Sequence, residues 1–352
     1  MKAINVGIIG CGRVAKHYSK IFKMIDDNLF SLKAACDLSL NKAIEFASQF
    51  DGCAYFDSID NMLKSKSIDL IIISTESGLH FQHSKIFLEN NIHVLVEKPI
   101  TLIPSEAEEL IKIAKQNNLM LCVAFQNRFN NAIIELKKAY DNNKFGKIIT
   151  CSVRLRWCRY QDYYDDGWHG TWKMDGGVIS QQAIHHIDIL NWILGPIKKV
   201  SSLAKKRSNK LEAEDTLVSI FELENGGLGT IECTTAIRPK DFEASISITG
   251  EKGMASVDGI ALNKINQWYF YDEKESLNFD KINQEFETGY GLSHKILLEK
   301  VFYNLSNNIT DSPVSAEESL STLNLIHSLY SSDEEKEWVS VDEKKQSNKL
   351  GK

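Results

Sequence analysis

The sequence predicts an N-terminal doubly wound parallel α/β sheet, followed by an α+β domain whose largely antiparallel sheet leaves one face open. Three observations carry this reading. Short β-branched runs alternate with helical segments as far as residue 125, and strand runs joined by glycine turns take over afterwards. The length of 352 residues suits about two domains at roughly 100–200 residues each. The expected boundaries are 1–125, 126–335 and a polar C-terminal tail at 336–352.

Ile4–Gly10 (INVGIIG) is a short apolar run of the kind a strand buried on both faces requires. A helical pattern follows from Arg13 to about Met24. SLKAACD (31–37) reads as a second strand and NKAIEFASQF (41–50) as a helix. DLIIIST (69–75) is a third strand, followed by the helical HFQHSKIFLENN (80–91). HVLVEKP (93–99) is a fourth strand, PSEAEELIKIAKQNN (104–118) a helix, and MLCVAFQ (120–126) a fifth strand. Right-handed crossovers would bring the carboxyl ends of all five strands to one edge.

Beyond Gln126 the pattern changes. KIITCSVRLRW (147–157), LVSIFELENGGLGTIECTTA (217–236) and FEASISITGEKGMASVDG (242–259) read as strands, with ENGG and TGEKG as hairpin turns. Helices near His294–Asn307 and Ala316–Leu329 close the chain, and the segment from Asp342 onward reads as loose.

Composition narrows the function classes. Forty-one Lys and Arg against 47 Asp and Glu give a net charge of −6, which leaves no global basic footprint for nucleic acid. The basic run Lys205–Lys210 (KKRSNK) reads as a solvated loop. Seven cysteines without C-x-x-C spacing suggest reduced thiols rather than a disulfide framework. No apolar run reaches the ~18 residues that span a bilayer, and the N-terminus lacks a signal-cleavage pattern. A cytoplasmic protein without membrane contact is expected.

Gly10-Cys11-Gly12-Arg13-Val14-Ala15 follows the first strand and opens a helix. Gly10 permits the tight turn, Gly12 lets backbone approach a pyrophosphate, and Ala15 lets helix and strand pack closely. The N–H groups of the helix start then face the phosphates, so Gly10, Cys11, Gly12, Arg13 and Val14 are candidate cofactor contacts of a Rossmann domain. Asp37 ends the second strand, 25 residues beyond Gly12, where a carboxylate accepts ribose hydroxyls and repels a 2′-phosphate. Leu38 and Ser39 follow it in place of an arginine, which favours NAD over NADP. Asp37 could alternatively cap the next turn.

Lys98 stands at the same strand edge. A partly desolvated lysine there could donate to a developing alkoxide, or could be an ordinary strand-end lysine. Glu97-Lys98-Pro99, GCGRVA, STESGLH (74–80) and NRF (127–129) together make the chain resemble the Gfo/Idh/MocA oxidoreductases, from Val6 to about Tyr330. That resemblance implies that Lys98 is the active-site lysine and that Lys98–Pro99 is cis. It also implies that Thr75 and His80 contact the cofactor and that Glu97 lies by the nicotinamide ribose. Self-association as a homodimer or homotetramer through the open C-terminal sheet is implied as well.

In GGVISQQAIHHIDILNW (176–192), helical spacing places Gln181, His185, Asp188 and Trp192 on one face and turns His186 about 100° away. Glutamine, one histidine and one carboxylate make a poor metal set, so no metal is expected. His185, with an unperturbed pKa of about 6.5, suits proton transfer. The resemblance gives it the catalytic position. Asp188 could orient a donor or cap the local structure. Inositol dehydrogenase-like members carry Asp four residues before this histidine, and Gln181 cannot ionise. The chain therefore looks more like the sugar-nucleotide branch, the UDP-N-acetylglucosaminuronate 3-dehydrogenases of surface-polysaccharide pathways.

Arg154 and Arg156 share one strand face, and Trp157, Arg159, Tyr160, Tyr163, Tyr164, Trp168 and Trp172 follow. Such aromatics can stack on sugar or uracil, with arginines gripping phosphate or carboxylate, or they can pack a junction. Arg128, Arg156, Tyr163, Trp168, Trp172, Gln181, Gln182 and Asp188 are the candidate substrate contacts. The expected reaction is NAD-dependent oxidation of a secondary hydroxyl, C3 of a nucleotide sugar. Oxidation of a free sugar or inositol is the rival within enzymes, and an NAD-sensing protein without turnover is the rival outside them.

Overall fold

The protein is described by a computed structural model over residues 3–65, 67–271, 277–286 and 289–352. It divides into two compact units, Met1–Gln126 with Leu292–Leu320, and Asn127–Gly291 with Ser321–Lys352. The sequence reading placed Leu292–Leu320 in the second domain, whereas this segment clusters with the first unit.

In the first unit β1 (Ile4–Ile9), α1 (Arg13–Phe22), β2 (Phe30–Cys36), α2 (Leu40–Ala47), β3 (Ala54–Phe56), α3 (Ile59–Lys64), β4 (Leu70–Ile73), α4 (His80–Glu89), β5 (His93–Val96), α5 (Pro104–Gln116) and β6 (Leu121–Val123) alternate. The strands form one parallel sheet in the order β3-β2-β1-β4-β5-β6. The order reverses between β1 and β4, where ligands of open α/β sheets bind beyond the strand ends. β3 and α3 are additions to the predicted elements. At three residues, exposed or half-buried, β3 offers neither length nor alternation to the eye.

The second unit holds α6 (Asn131–Asp141), β7 (Ile148–Arg156), α7 (Val178–Gln181), α8 (Ile184–Leu194), β8 (Ile197–Lys205), β9 (Thr216–Leu223), β10 (Leu228–Thr234), β11 (Glu243–Gly250), β12 (Gly253–Asp258), β13 (Lys264–Phe270) and α9 (Phe279–Ile282). After α10 (Ser293–Ser306) and α11 (Ala316–Glu335) comes β14 (Val339–Ser340). Eight strands make one sheet, β13-β12-β11-β7-β10-β9-β8-β14, antiparallel except for the parallel pair β7 and β10. Both expected hairpins form, the first turning at Gly226 with φ +84°. Val153, Leu155, Ile231, Cys233, Ile246 and Ile248 point to the buried face. The opposite face carries a cross-strand row of Leu203, Val218, Glu232, Arg154 and Ser245, the alternation of a sheet with one open side.

One loop is exposed as read but anchored from beneath, and the reading of another segment is corrected. The cations of the 205–210 run are exposed, but Asp215 is fully buried beneath and accepts from the Arg207, Ser208 and Asn209 N–H groups at 2.7, 2.9 and 3.0 Å. The segment expected to be loose is docked. Ser347 donates its hydroxyl to Glu334 Oε1 at 2.6 Å, Leu350 is buried, and the Gly351 N–H donates to the Trp172 carbonyl at 2.8 Å. Polar composition hid these contacts because it shows neither the burial of Asp215 nor the distant partner of Gly351.

α10 joins the first unit through apolar burial. Phe302 is fully buried and stacks on Phe30, ring centroids 5.0 Å apart at 15°. Replacing Phe302 by Ala should cost about 3–5 kcal/mol, read as a lowered urea midpoint; a near-neutral result would remove α10 from this core.

Candidate active site

The glycine turn leaves β1 at Gly10, whose φ is +83°. A Cβ there would come within 2.7 Å of the Ser74 carbonyl, so β1 and β4 approach too closely for any side chain. At Gly12 a Cβ would meet nothing within 4 Å, which leaves the start of α1 open to an incoming phosphate. Beside it lies a cavity of about 400 Å³, lined by Cys11, Gly12, Arg13, Lys16, Lys42, Glu45, Phe46 and Gln49. Asp37 closes that corner and accepts from the Cys11 and Ser39 N–H groups, both at 2.8 Å. Burial and then the Asp37 charge push the Cys11 thiol up to about 12, so Cys11 stays a thiol and presents backbone. Arg13 is exposed and Val14 half-buried on the first turn of α1. An open glycine, a free helix start and a carboxylate at the end of β2 suit a dinucleotide without a 2′-phosphate.

At the end of β5, Lys98 is half-buried and precedes a cis bond to Pro99. Two neighbours differ from expectation. His80, read as a cofactor contact, is 1 % exposed; its Nδ1 lies 2.7 Å from the Pro99 carbonyl and its Nε2 lies 3.1 Å from the Thr75 carbonyl. Burial lowers its pKa, and a neutral ring has one N–H to donate. His80 therefore packs between the ends of β4 and β5 and, while neutral, donates to one of the two carbonyls. Thr75 pairs its hydroxyl with His83 Nδ1 at 3.0 Å. Glu97, read as a ribose contact, is buried and accepts from the Tyr18 hydroxyl at 2.8 Å and from His294 Nε2 at 3.4 Å.

In the second unit the histidine segment is not one helix. α7 ends at Gln181 and α8 begins at Ile184, so the uniform face drawn from Gln181 to Trp192 breaks at Gln182 and Ala183. The start of α7 is fixed by backbone crowding: a Cβ at Gly177 would fall 2.0 Å from Glu214 Oε2. Glu214 accepts from the Ile179 N–H at 3.2 Å and from the Tyr330 hydroxyl at 3.0 Å. Burial pushes the Glu214 carboxyl up to about 8, against these hydrogen bonds and with help from the Asp175 charge. Gln181 donates its amide to Asp175, which also accepts from the Gly170 N–H at 2.9 Å.

His185 is half-buried at the first turn of α8. His186 is fully buried, held to about 3 by burial, and packs edge-on to Trp157 at 6.3 Å. Around them runs a ring ladder. The Arg159 guanidinium lies 4.9 Å from Trp157 and 5.9 Å from Tyr163, and His169 lies 4.3 Å from Tyr163 and 3.7 Å from Trp168. Gln182 Nε2 donates to the Tyr163 hydroxyl at 3.2 Å.

Four residues read as substrate contacts are engaged elsewhere. Arg128 grips Asp188 with Nε at 2.7 Å and Nη2 at 2.8 Å, over Trp192; Thr322 donates to Asp188 at 2.9 Å. Both charges are buried, so this pair locks α8 rather than receiving a ligand. Arg156 is bidentate to Glu232 and bonded to Glu243 on the open face of the sheet. Trp172 packs edge-on to Tyr330 at 5.2 Å beneath Lys349. Tyr18, His294 and Glu214 carried no local signal, because their partners are distant in sequence, whereas Asp175 and His169 pair with near neighbours and were passed over.

Among the described residues, no cluster of three or more His, Cys, Asp or Glu is arranged to hold a metal, and no helix is long and apolar enough to cross a membrane.

Residues 4–125 match the profile of an oxidoreductase family NAD-binding Rossmann fold, and residues 137–341 match that family's C-terminal alpha/beta domain, Gfo/Idh/MocA in both cases. A solved structure of the WlbA dehydrogenase from Bordetella pertussis, in complex with NADH and UDP-GlcNAcA, is similar with a TM-score of 0.90 and 30% identity, covering 96% of this chain and 98% of that one. The WlbA dehydrogenase from Chromobacterium violaceum, in complex with the same two molecules, gives 0.87 and 31%, covering 97% and 96%. D-glucoside 3-dehydrogenase of Escherichia coli is 26% identical over 275 residues, 72% of this chain and 77% of its own length.

Breaking a buried ion pair by removing one partner costs about 3–5 kcal/mol, and Arg128→Leu should destabilise the second unit by that amount in chemical unfolding. Glu214 predicts a pH dependence. Its folded pKa lies above its ordinary 4.5, so its stabilising contribution is complete below that value and is lost as pH rises through about 8. The stability difference between Glu214→Gln and the parent, followed by thermal melting, should grow in the variant's favour across this window. A constant difference would show the carboxyl to be ionised throughout.

Proposed function

Because the chain belongs to the Gfo/Idh/MocA oxidoreductase family and is an NAD-dependent CH–OH dehydrogenase of the kind that acts on sugars, we propose that its substrate is a nucleotide-activated sugar such as UDP-N-acetylglucosaminuronate, oxidised at C3. The observation that carries this reading is the Trp157–Arg159–Tyr163–His169–Trp168 ladder beside Gln182. Stacked rings and a guanidinium suit a flat base, a sugar face and an anionic group. Similarity to two WlbA dehydrogenases whose structures contain UDP-GlcNAcA supports the same class. The position of oxidation follows the D-glucoside 3-dehydrogenase relative.

The chain's own groups divide the work. Asp37 receives the adenosine ribose hydroxyls, and the Gly12 end of α1 receives the pyrophosphate. Bound NAD⁺ supplies the hydride acceptor. The imidazole of His185 takes the hydroxyl proton of the substrate, and the ammonium of Lys98 stabilises the negative charge that builds on that oxygen. Tyr163, Trp168 and Gln182 hold the nucleotide sugar, while Arg128 and Asp188 keep α8 in place. The open face of the eight-stranded sheet, with Leu203, Val218, Ile220 and Leu228 exposed among its ion pairs, is the surface through which two or four copies associate. A cytoplasmic setting fits this substrate.

The test is nicotinamide absorbance of the purified enzyme mixed with UDP-N-acetylglucosaminuronate, glucosides or inositol. NADH should form with the nucleotide sugar. Formation with a free glucoside alone would move the assignment to the chemistry named for the E. coli relative. Lys98→Ala should lower turnover by about 10²–10⁴-fold while NADH still binds, and near-normal turnover would remove Lys98 from the mechanism.

A further inference from the structure

The first unit buries a polar set that the reaction above leaves without a role. Glu97 is the last residue before Lys98, and its side chain turns away from the strand edge into the packing of α1 and α10. There its Oε1 accepts from the Tyr18 hydroxyl at 2.8 Å and His294 Nε2 at 3.4 Å. Tyr18 and His294 are themselves buried, with ring centroids 5.2 Å apart, and His17 stands edge-on to His294 at 4.9 Å. His294 Nδ1 is buried without a hydrogen-bond partner among the described residues.

A buried carboxylate with two buried donors is poor evidence of a stabilising device, since an apolar side chain of similar volume packs as well or better. Its charge has another target. Burial on its own would raise the Glu97 carboxyl, but His294, Lys98 and Tyr18 outweigh burial and hold it below the usual range. That attraction is mutual, so the same carboxylate favours the charged form of Lys98. The groups facing Glu97 are Tyr18 and His17 from α1, His294 from α10, His80 from α4, Cys122 of β6 by way of Tyr18, and Lys98 itself. Lys98 lies beside it in the chain, and Tyr18 and His294 fix the carboxylate so that it cannot swing away.

We propose that Glu97, clamped by Tyr18 and His294, is a positioning residue for Lys98: its fixed negative charge keeps the lysine an ammonium ion and holds the end of β5 in register. This inference rests on the role given to Lys98 above. An ammonium stabilises a developing alkoxide, whereas a neutral amine lacks the charge to do so.

The experiment follows Lys98 directly in the full chain loaded with NAD, by NMR of selectively labelled lysine, with the signal assigned by its loss in Lys98→Arg. Glu97→Gln keeps the shape and removes the charge. The Lys98 titration should then move to lower pH by about one unit or more, with the alkaline limb of the kcat/KM profile moving alongside it and NADH affinity within about twofold of the parent. An unmoved Lys98 titration in folded Glu97→Gln overturns the proposal. Should that variant fail to fold, Tyr18→Phe and His294→Asn leave the carboxylate in place but release it. A smaller downward shift in each supports the clamp, and an unchanged titration in both overturns it. A shifted Lys98 titration in a protein whose turnover survives Lys98→Ala would sustain the clamp while refuting the assigned reaction.

Discussion

A side chain at residue 10 has nowhere to go. Gly10 turns at φ +83° with the Ser74 carbonyl 2.7 Å from where its Cβ would stand, and the Ser74 hydroxyl donates back to the Gly10 carbonyl at 2.8 Å. This contact ties the ends of β1 and β4, the two central strands at which the sheet order reverses. Everything at the nucleotide end hangs from it: α1 starts three residues later, and Asp37 accepts from the Cys11 N–H inside the turn. His80 extends the same logic outward, filling the space between the Thr75 carbonyl after β4 and the Pro99 carbonyl after β5 and bonding one of them. The strand ends are cross-tied by polar contacts, so the position of Lys98 is set by main chain rather than by a mobile loop.

The second unit solves a comparable problem with charges. Its short α7 starts where Gly177 faces Glu214 with no room for a Cβ, and Tyr330 bonds both the Gly177 N–H and Glu214. α8 is held by the buried Arg128–Asp188 pair. Desolvating such groups is costly, and each is tolerated because its partner is fixed by a different element. The histidine segment therefore sits in a frame whose members come from the loop before β9, the short turn at Gln126–Phe129, α8 and α11.

How much of this was legible in the sequence follows from the range of the interactions. Period and turn chemistry are local, so β1, β2, β4 and β5, the glycine turn, Asp37 and both hairpins could be read directly. β8 and β13 were passed over because their apolar residues are interspersed with lysines and polar side chains. The buried polar partners were invisible. Glu97 meets Tyr18 across 79 residues and His294 across 197, and Arg128 meets Asp188 across 60. A sequence shows that a charge exists but not whether it is already paired, which is why Arg128, Arg156 and Asp188 read as ligand contacts.

Gln181 shows what the paired state explains. Against family members with an acid at this position, an amide looks like a lost proton carrier. In this fold the residue opposite is Asp175, buried and already accepting the Gly170 N–H, and Gln181 donates to it. An aspartate at 181 would set two carboxylates against each other in a site with little water, where one must hold a proton. The amide removes that conflict and satisfies a buried acceptor. It also leaves His185 as the ionisable group of the segment with any access to solvent, since His186 is sealed in and neutral. In the mechanism we propose, the amide at 181 thus leaves proton transfer to one imidazole and the charge of the reacting oxygen to Lys98.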